Sequence, residues 1–188
     1  MEFDLTKLTP EVRALKDMGS VLYDKDWQKT ADPATELYYM YRGLKEKGNL
    51  RYDITVINPI MLGEEYNKTK GHAHVSDGEE TYIVLEGTIF YLIQKLEEGK
   101  VKNIYVVEAK KGDEVIVPPF SSHFSINPTD KVVKMANWVD KRVKVDYKVI
   151  QDGNGACYFY TTQGWIKNKK YTQVPDLRFE KTNSSITT

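Results

Sequence analysis

A chain of 188 residues suits one domain, or one domain with an arm, and is long enough to bury a sizeable core. Its 27 Lys and Arg balance 27 Asp and Glu, which excludes the cationic excess on which a nucleic-acid binder relies. No apolar run reaches the length of a membrane span and the start MEFDLTKLTPEV does not read as a signal peptide. The single cysteine, Cys157, excludes an internal disulfide and fits a reducing compartment, so a cytoplasmic protein is expected.

In chain order, residues 10–18 (PEVRALKDM) are expected to form a short helix opened by Pro10 and capped by Thr9. Strands are expected at 36–42, 51–58, 81–85, 88–94, 103–108, 114–117 and 132–139, with further extended runs at 143–150 and 156–162. Turn residues separate them: Glu86-Gly87, Glu98-Gly99, Lys111-Gly112-Asp113, Thr129-Asp130 and Asp152-Gly153-Asn154-Gly155. Short strands at near-regular spacing indicate an all-β sandwich or barrel. We divide the single domain into an N-terminal arm (1–35), a β-barrel (36–162) and a C-terminal extension (163–188) whose polar end frays from about Pro175. Cys157, among Tyr158, Phe159 and Tyr160, reads as a small buried residue. The lysines at 167, 169 and 170 read as a solvated turn. The N-x-S/T matches at Asn67 and Asn183 carry no weight without a secretory signal.

The chain contains three histidines, and their arrangement carries the chemistry. His72 and His74 alternate, so in an extended strand they share a face. Glu79 and Glu80 follow, and His123 comes later. Imidazole is the commonest side-chain metal ligand near neutral pH, and a carboxylate completes a mixed N/O set. Gly112, Pro118, His123 and Asn127 have the spacing of the second cupin motif, and Glu80 followed by six residues and then Gly87 fits the first. The chain therefore resembles the cupins, which implies a double-stranded β-helix, or jelly-roll, barrel with a metal inside. Phe120 stands where the second motif usually has glycine, which is expected to change the turn and not the ligand.

The carboxylate ligand is either Glu79 or Glu80, which point to opposite faces of a strand. The usual gap after the second histidine favours Glu79; the count back from Gly87 favours Glu80. The first count crosses a turn at Ser76-Asp77-Gly78, where strand parity is lost, so Glu80 is preferred and Glu79 is expected in solvent. Three imidazoles and a carboxylate suit iron(II), manganese, nickel or zinc. Iron(II) is placed first, with one divalent ion per subunit. Four protein ligands leave two octahedral positions for adjacent substrate oxygens. A closed structural zinc site is the alternative, although a barrel of this size folds without a metal.

Beyond the metal set, Thr69-Lys70-Gly71-His72-Ala73-His74, Glu80-Thr81-Tyr82, Pro118-Pro119 and His123 resemble the cupin-type glucose-6-phosphate isomerases, known mainly from archaea. Arg13 to Met18, Tyr38 and Tyr41, Thr55 fourteen residues before Thr69, and Asp146-Tyr147 extend the likeness over about residues 13–150. The resemblance implies an aldose–ketose isomerase of glycolysis and gluconeogenesis. His72, His74, Glu80 and His123 would be its metal ligands, and Tyr38, Thr55, Thr69 and Gly71 would hold the sugar phosphate. Lys70 could add charge, but is expected to point to solvent. Glu80 would be the base that carries a proton between C1 and C2, unless a hydride shift replaces it. Tyr82, on the face of Glu80, would line the cavity as packing or as a proton-relay hydroxyl. A homodimer is expected from sheet edges that need covering.

Three departures mark the chain. The gap from His74 to Glu80 is one residue shorter than the family pattern, so the intervening loop must be tighter. Trp138 and Val145 stand where tyrosine and histidine are expected, and their loss of polarity would alter handling of the sugar ring. A metal-dependent cupin dioxygenase and a non-catalytic sugar-phosphate-binding cupin are the alternatives.

Overall fold

The computed structural model describes residues 3–182. Its elements begin with β1 (Glu11–Ala14) and helix α1 (Lys25–Thr30), followed by the long hairpin β2 (Glu36–Lys47) and β3 (Leu50–Ile57). Three short strands come next, β4 (Met61–Leu62), β5 (Glu65–Tyr66) and β6 (His72–His74). Then come β7 (Glu80–Glu86), β8 (Thr88–Glu97), β9 (Lys100–Lys110), β10 (Glu114–Val117), β11 (Ser122–Ile126), β12 (Val133–Asp140) and β13 (Val145–Asp146). Helix α2 (Lys148–Asp152) leads to β14 (Tyr158–Thr161), β15 (Gly164–Lys167) and β16 (Arg178–Glu180).

Two six-stranded sheets make the barrel. The first runs β1-β2-β3-β12-β7-β10 and the second β13-β6-β11-β8-β9-β16. Their inner faces meet: the rings of Tyr82 on β7 and Tyr91 on β8 lie 5.2 Å apart, and the Tyr91 hydroxyl reaches the Met135 sulfur on β12 at 3.4 Å. Alternation along β7 turns Glu80, Tyr82 and Val84 inward, leaving Thr81, Ile83 and Leu85 half-buried on the other face. This is the cupin barrel. A small third sheet, β15-β14-β5-β4, packs on β8 through Phe90, whose ring lies 5.1 Å from that of Tyr160.

Several expectations are corrected. Residues 10–18 do not form a helix. Arg13 pairs with Tyr38 as β1 adds to the sheet edge, and only Leu15–Asp17 turns, as one 3-10 stretch. Edge pairing supplies hydrogen-bond partners across the sheet and outweighs a weak local preference. Helix α1 was not anticipated, although its signal is present: Asp24 accepts from the Trp27 amide at 2.8 Å as an N-cap. The run 143–150 is two residues of strand and then α2. The segment after Pro175 is not all frayed, because Arg178–Glu180 pairs in parallel with Tyr105–Val107; residues 183–188, with Asn183, lie outside the described residues. Asn67 is buried and its amide donates to the Leu37 and Asn58 carbonyls, so it is not a surface acceptor. Cys157 is buried, and burial pushes its thiol up to about 12. Residues 167–170 do turn, but around a buried Asn168 whose amide donates to the Ala156 and Gly153 carbonyls.

The N-terminal segment is clipped to the barrel by a buried ion pair. Lys68 pairs with Glu65, donates to the Val21 carbonyl at 2.9 Å and lies 4.7 Å from the centre of the Phe159 ring. Glu65 accepts in turn from the Tyr23 amide at 2.8 Å. Among the described residues no helix is long and apolar enough to cross a membrane.

Candidate active site

Three strands from two sheets bring the histidines and the carboxylate together. On β6, His72 and His74 stack with ring centres 5.3 Å apart, as two-residue alternation requires. Strand β11 runs antiparallel beside it and sets His123 opposite His72, ring centres 4.5 Å apart. Glu80 opens β7 on the facing sheet. Its Oε2 lies 3.2 Å from His74 Nε2, 3.5 Å from His123 Nε2 and 3.9 Å from His72 Nε2. Glu79 is exposed and faces away. The loop between His74 and Glu80 carries five residues. It is tied back by the Lys144 amide donating to Ser76 Oγ and the Val75 amide donating to the Lys144 carbonyl.

This donor set fits a metal ion. The four donor atoms lie within 4.8 Å of one another, close to the span of a coordination sphere with radius about 2.1 Å. Three imidazole nitrogens converge on one carboxylate oxygen, and a cation can accept all of those lone pairs where one oxygen cannot. Burial lowers the His72 pKa to about 4, against the raising pull of Glu80. Burial also holds His123 well below the ordinary imidazole range, helped by His72 and His74. Both rings are therefore neutral at pH 7, with lone pairs free for ligation. His72 keeps 21% of its side-chain surface open, against 0% for His74 and 3% for His123, and the group meets the cavity through His72, Glu80 and His123.

A cavity of about 250 Å³ lies over the group, the scale of a small metabolite. Tyr38, Thr55, Thr69 and Gly71 line it, as does Tyr82. Tyr41 does not. The Tyr38 hydroxyl accepts from the Lys70 amide at 3.1 Å, and Thr69 Oγ1 accepts from the Ser125 amide at 3.0 Å. With an acceptor role filled by backbone, each O–H is left to donate to an anion. Gly71 sits at φ +73°, and a Cβ there would come 2.2 Å from the Phe124 ring, so only glycine lets the chain pass. The Tyr82 hydroxyl stands 2.9 Å from His123 Nε2. Burial, reinforced by Glu80, raises its pKa well above the ordinary phenol value, so it keeps its proton.

Other residues complete the site without having been picked out beforehand. Asn137 donates to Glu80 Oε1 at 2.5 Å and fixes the carboxylate. Asn137 faces Tyr82 in the β7–β12 register and so lies on the cavity side of the sheet. Its neighbour Trp138 therefore turns outward and packs on Tyr52, with ring centres 4.9 Å apart. The expected effect of Trp138 on the sugar site is corrected accordingly, since it does not line the cavity. Val145 does line it, beside His74 in register. Tyr147 also lines the cavity, its ring 5.8 Å from that of His72. Lys70 is half-buried and lines the cavity, its ammonium 5.8 Å from the centre of the Tyr147 ring. Arg13, Arg42, Arg51 and Lys141 add positive charge to the lining, and long cations scattered through a sequence give no local signal of convergence.

Over 125 residues the chain is 34% identical to a glucose-6-phosphate isomerase of Thermococcus litoralis, covering 64% of each chain; the alignment thus spans just under two thirds of that relative's length. It is 26% identical over 157 residues to a glucose-6-phosphate isomerase of Sinorhizobium medicae, covering 77% of this chain and 72% of the relative. A solved oxalate oxidase in complex with the substrate analogue glycolate overlays 53% of this chain and 46% of its own, at 15% identity and a TM-score of 0.44. The model of the family described as glucose-6-phosphate isomerase matches residues 12–176, and on that match across most of its length the chain belongs to the glucose-6-phosphate isomerase family.

Proposed function

We propose that this protein is a metal-dependent glucose-6-phosphate isomerase that interconverts glucose 6-phosphate and fructose 6-phosphate. The observation that carries the reading is one cavity with the His72, His74, Glu80 and His123 donors at its base and the hydroxyls of Tyr38, Thr55 and Thr69 on its wall. Family membership supports it. His72, His74, Glu80 and His123 would hold one divalent transition ion, iron(II) first, with manganese, nickel and zinc as candidates. Such an ion supplies Lewis-acid polarisation of the substrate carbonyl.

The remaining work falls to the protein's side chains. Tyr38, Thr55, Thr69 and Gly71 bind the phosphate through hydroxyl and backbone donors and so fix the sugar's far end. Glu80 takes the proton from one carbon and returns it to the other, so that C1 and C2 exchange one hydrogen. Asn137 holds Glu80 Oε1 and leaves Oε2 turned to the histidines. Tyr82, kept protonated, donates where negative charge develops on a sugar oxygen. The open edge at β1, where Val12 is exposed, supports the homodimer reading, because a second subunit would cover it.

The test is a coupled assay with fructose 6-phosphate before and after EDTA, with iron(II), manganese and zinc added back. Activity lost to EDTA and restored by a divalent ion is expected. A protein inactive with every ion overturns the isomerase reading, and oxygen consumption in its place would point to a dioxygenase.

A further inference from the structure

The cations of the cavity are not equivalent. Arg51 is committed to Asp53, donating to both carboxylate oxygens at 2.7–3.0 Å. Arg42 donates to Glu11 at 2.9 Å and to the Met40 sulfur, and Lys141 donates to Glu46 at 2.9 Å. Lys70 lies toward Tyr147, on the His72 side. Arg13 differs: one terminal nitrogen meets Glu11 at 3.2 Å, while its Nε–H is buried and has no acceptor among the described residues. A buried guanidinium N–H without a partner is costly unless something else completes it.

Its place in the fold indicates what that partner is. Arg13 pairs with Tyr38 across β1 and β2 and lines the same cavity as Tyr38, Thr69 and Gly71. The Tyr38 and Thr69 hydroxyls each have a free O–H there, so three uncommitted donors border one space. We propose that Arg13 is a phosphate-binding residue of this site, its Nε–H and a terminal N–H donating to the dianion beside Tyr38 and Thr69, and that it makes the site select phosphorylated over neutral sugars. A guanidinium matches phosphate geometry with two parallel hydrogen bonds, which hydroxyls alone do not provide. The proposal rests on the isomerase reading for the identity of the substrate, but not for the binding of phosphate.

The test compares Arg13→Met and Arg13→Lys with the parent, all loaded with metal. For Arg13→Met the KM for fructose 6-phosphate is expected to rise about tenfold to a hundredfold, more than kcat falls, and Arg13→Lys should recover part of the loss. Calorimetric titration with inorganic phosphate should show affinity weakened by about tenfold or more. Zinc affinity, measured by chelator competition, should stay within about twofold. Unchanged KM and unchanged phosphate affinity overturn the role of Arg13 and leave the isomerase reading intact. Phosphate binding that depends on Arg13 in a protein without isomerase activity upholds Arg13 and removes that reading. A parent that binds no phosphate, or a variant that loses zinc and phosphate together, overturns the proposal.

Discussion

At the level of single residues, the decisive contrast is between two adjacent carboxylates. Glu80 is 4% exposed and faces three imidazoles, while Glu79 looks into solvent. Glu80→Gln replaces a charged oxygen with an amide that cannot serve as an anionic ligand or a proton carrier. It should lower metal occupancy at least tenfold and cut turnover about a hundredfold or more. Glu79→Gln should leave both within about twofold. Elemental analysis of the purified variants and the fructose 6-phosphate assay check the pair; metal loss confined to Glu79→Gln would reverse the assignment. The sequence already distinguished these two because the strand leading to Gly87 runs without interruption, so parity could be counted. It did not reveal Asn137 as the partner of Glu80, because that contact joins strands 57 residues apart and no local pattern marks it.

At the level of the element, the turn before β11 shows what the glycine position of the motif requires. Phe120 sits at φ +57° and is 51% exposed. Where the motif usually has glycine, this turn holds the left-handed conformation and the phenylalanine bears it. A side chain in that region costs about 1–2 kcal/mol, and an exposed ring contributes little packing in return. Glycine relieves the strain but loses about 0.5–1 kcal/mol through the freedom it adds to the unfolded chain. Phe120→Gly should therefore stabilise the protein by about 0.5–1 kcal/mol, a rise of about 2 °C in melting temperature by calorimetry. A fall in that temperature would mean that the ring makes contacts worth more than the strain. Elements with a period of two, such as β7, were readable from the sequence. Short pieces were not: β6 and β13 are three and two residues long, and such strands exist because neighbours pair with them. The same holds for β1, where edge pairing overrode a helical reading.

For the molecule as a whole, stability depends on how the N-terminal segment and the residues after the barrel are held. Lys68 and Glu65 are 3% and 0% exposed and join the segment around Val21 and Tyr23 to Phe159 of β14. Burial pushes the Glu65 carboxyl pKa up, against the opposing pull of Lys68. Lys68→Met strands that carboxyl and should destabilise the fold by about 3–5 kcal/mol, with a melting temperature lower by about 10 °C. Lys68→Met combined with Glu65→Gln should recover a substantial part, because the amide needs no counter-charge and can still accept from the Tyr23 amide. A single variant as stable as the parent would show that the clip is dispensable. The barrel was legible because turn residues and metal-motif spacing repeat along it; this clip was not, since a lysine and a glutamate three residues apart look like any solvated surface.

His72, Glu80 and His123 line the cavity, His72 being the most open of them, while His74 is sealed behind. One doorway therefore serves two kinds of traffic. An ion seated on these donors enters and leaves through the space a sugar phosphate would fill, so a protein busy with substrate would also be one that keeps its ion, and scarcity of sugar would be the moment at which it is lost to a scavenger.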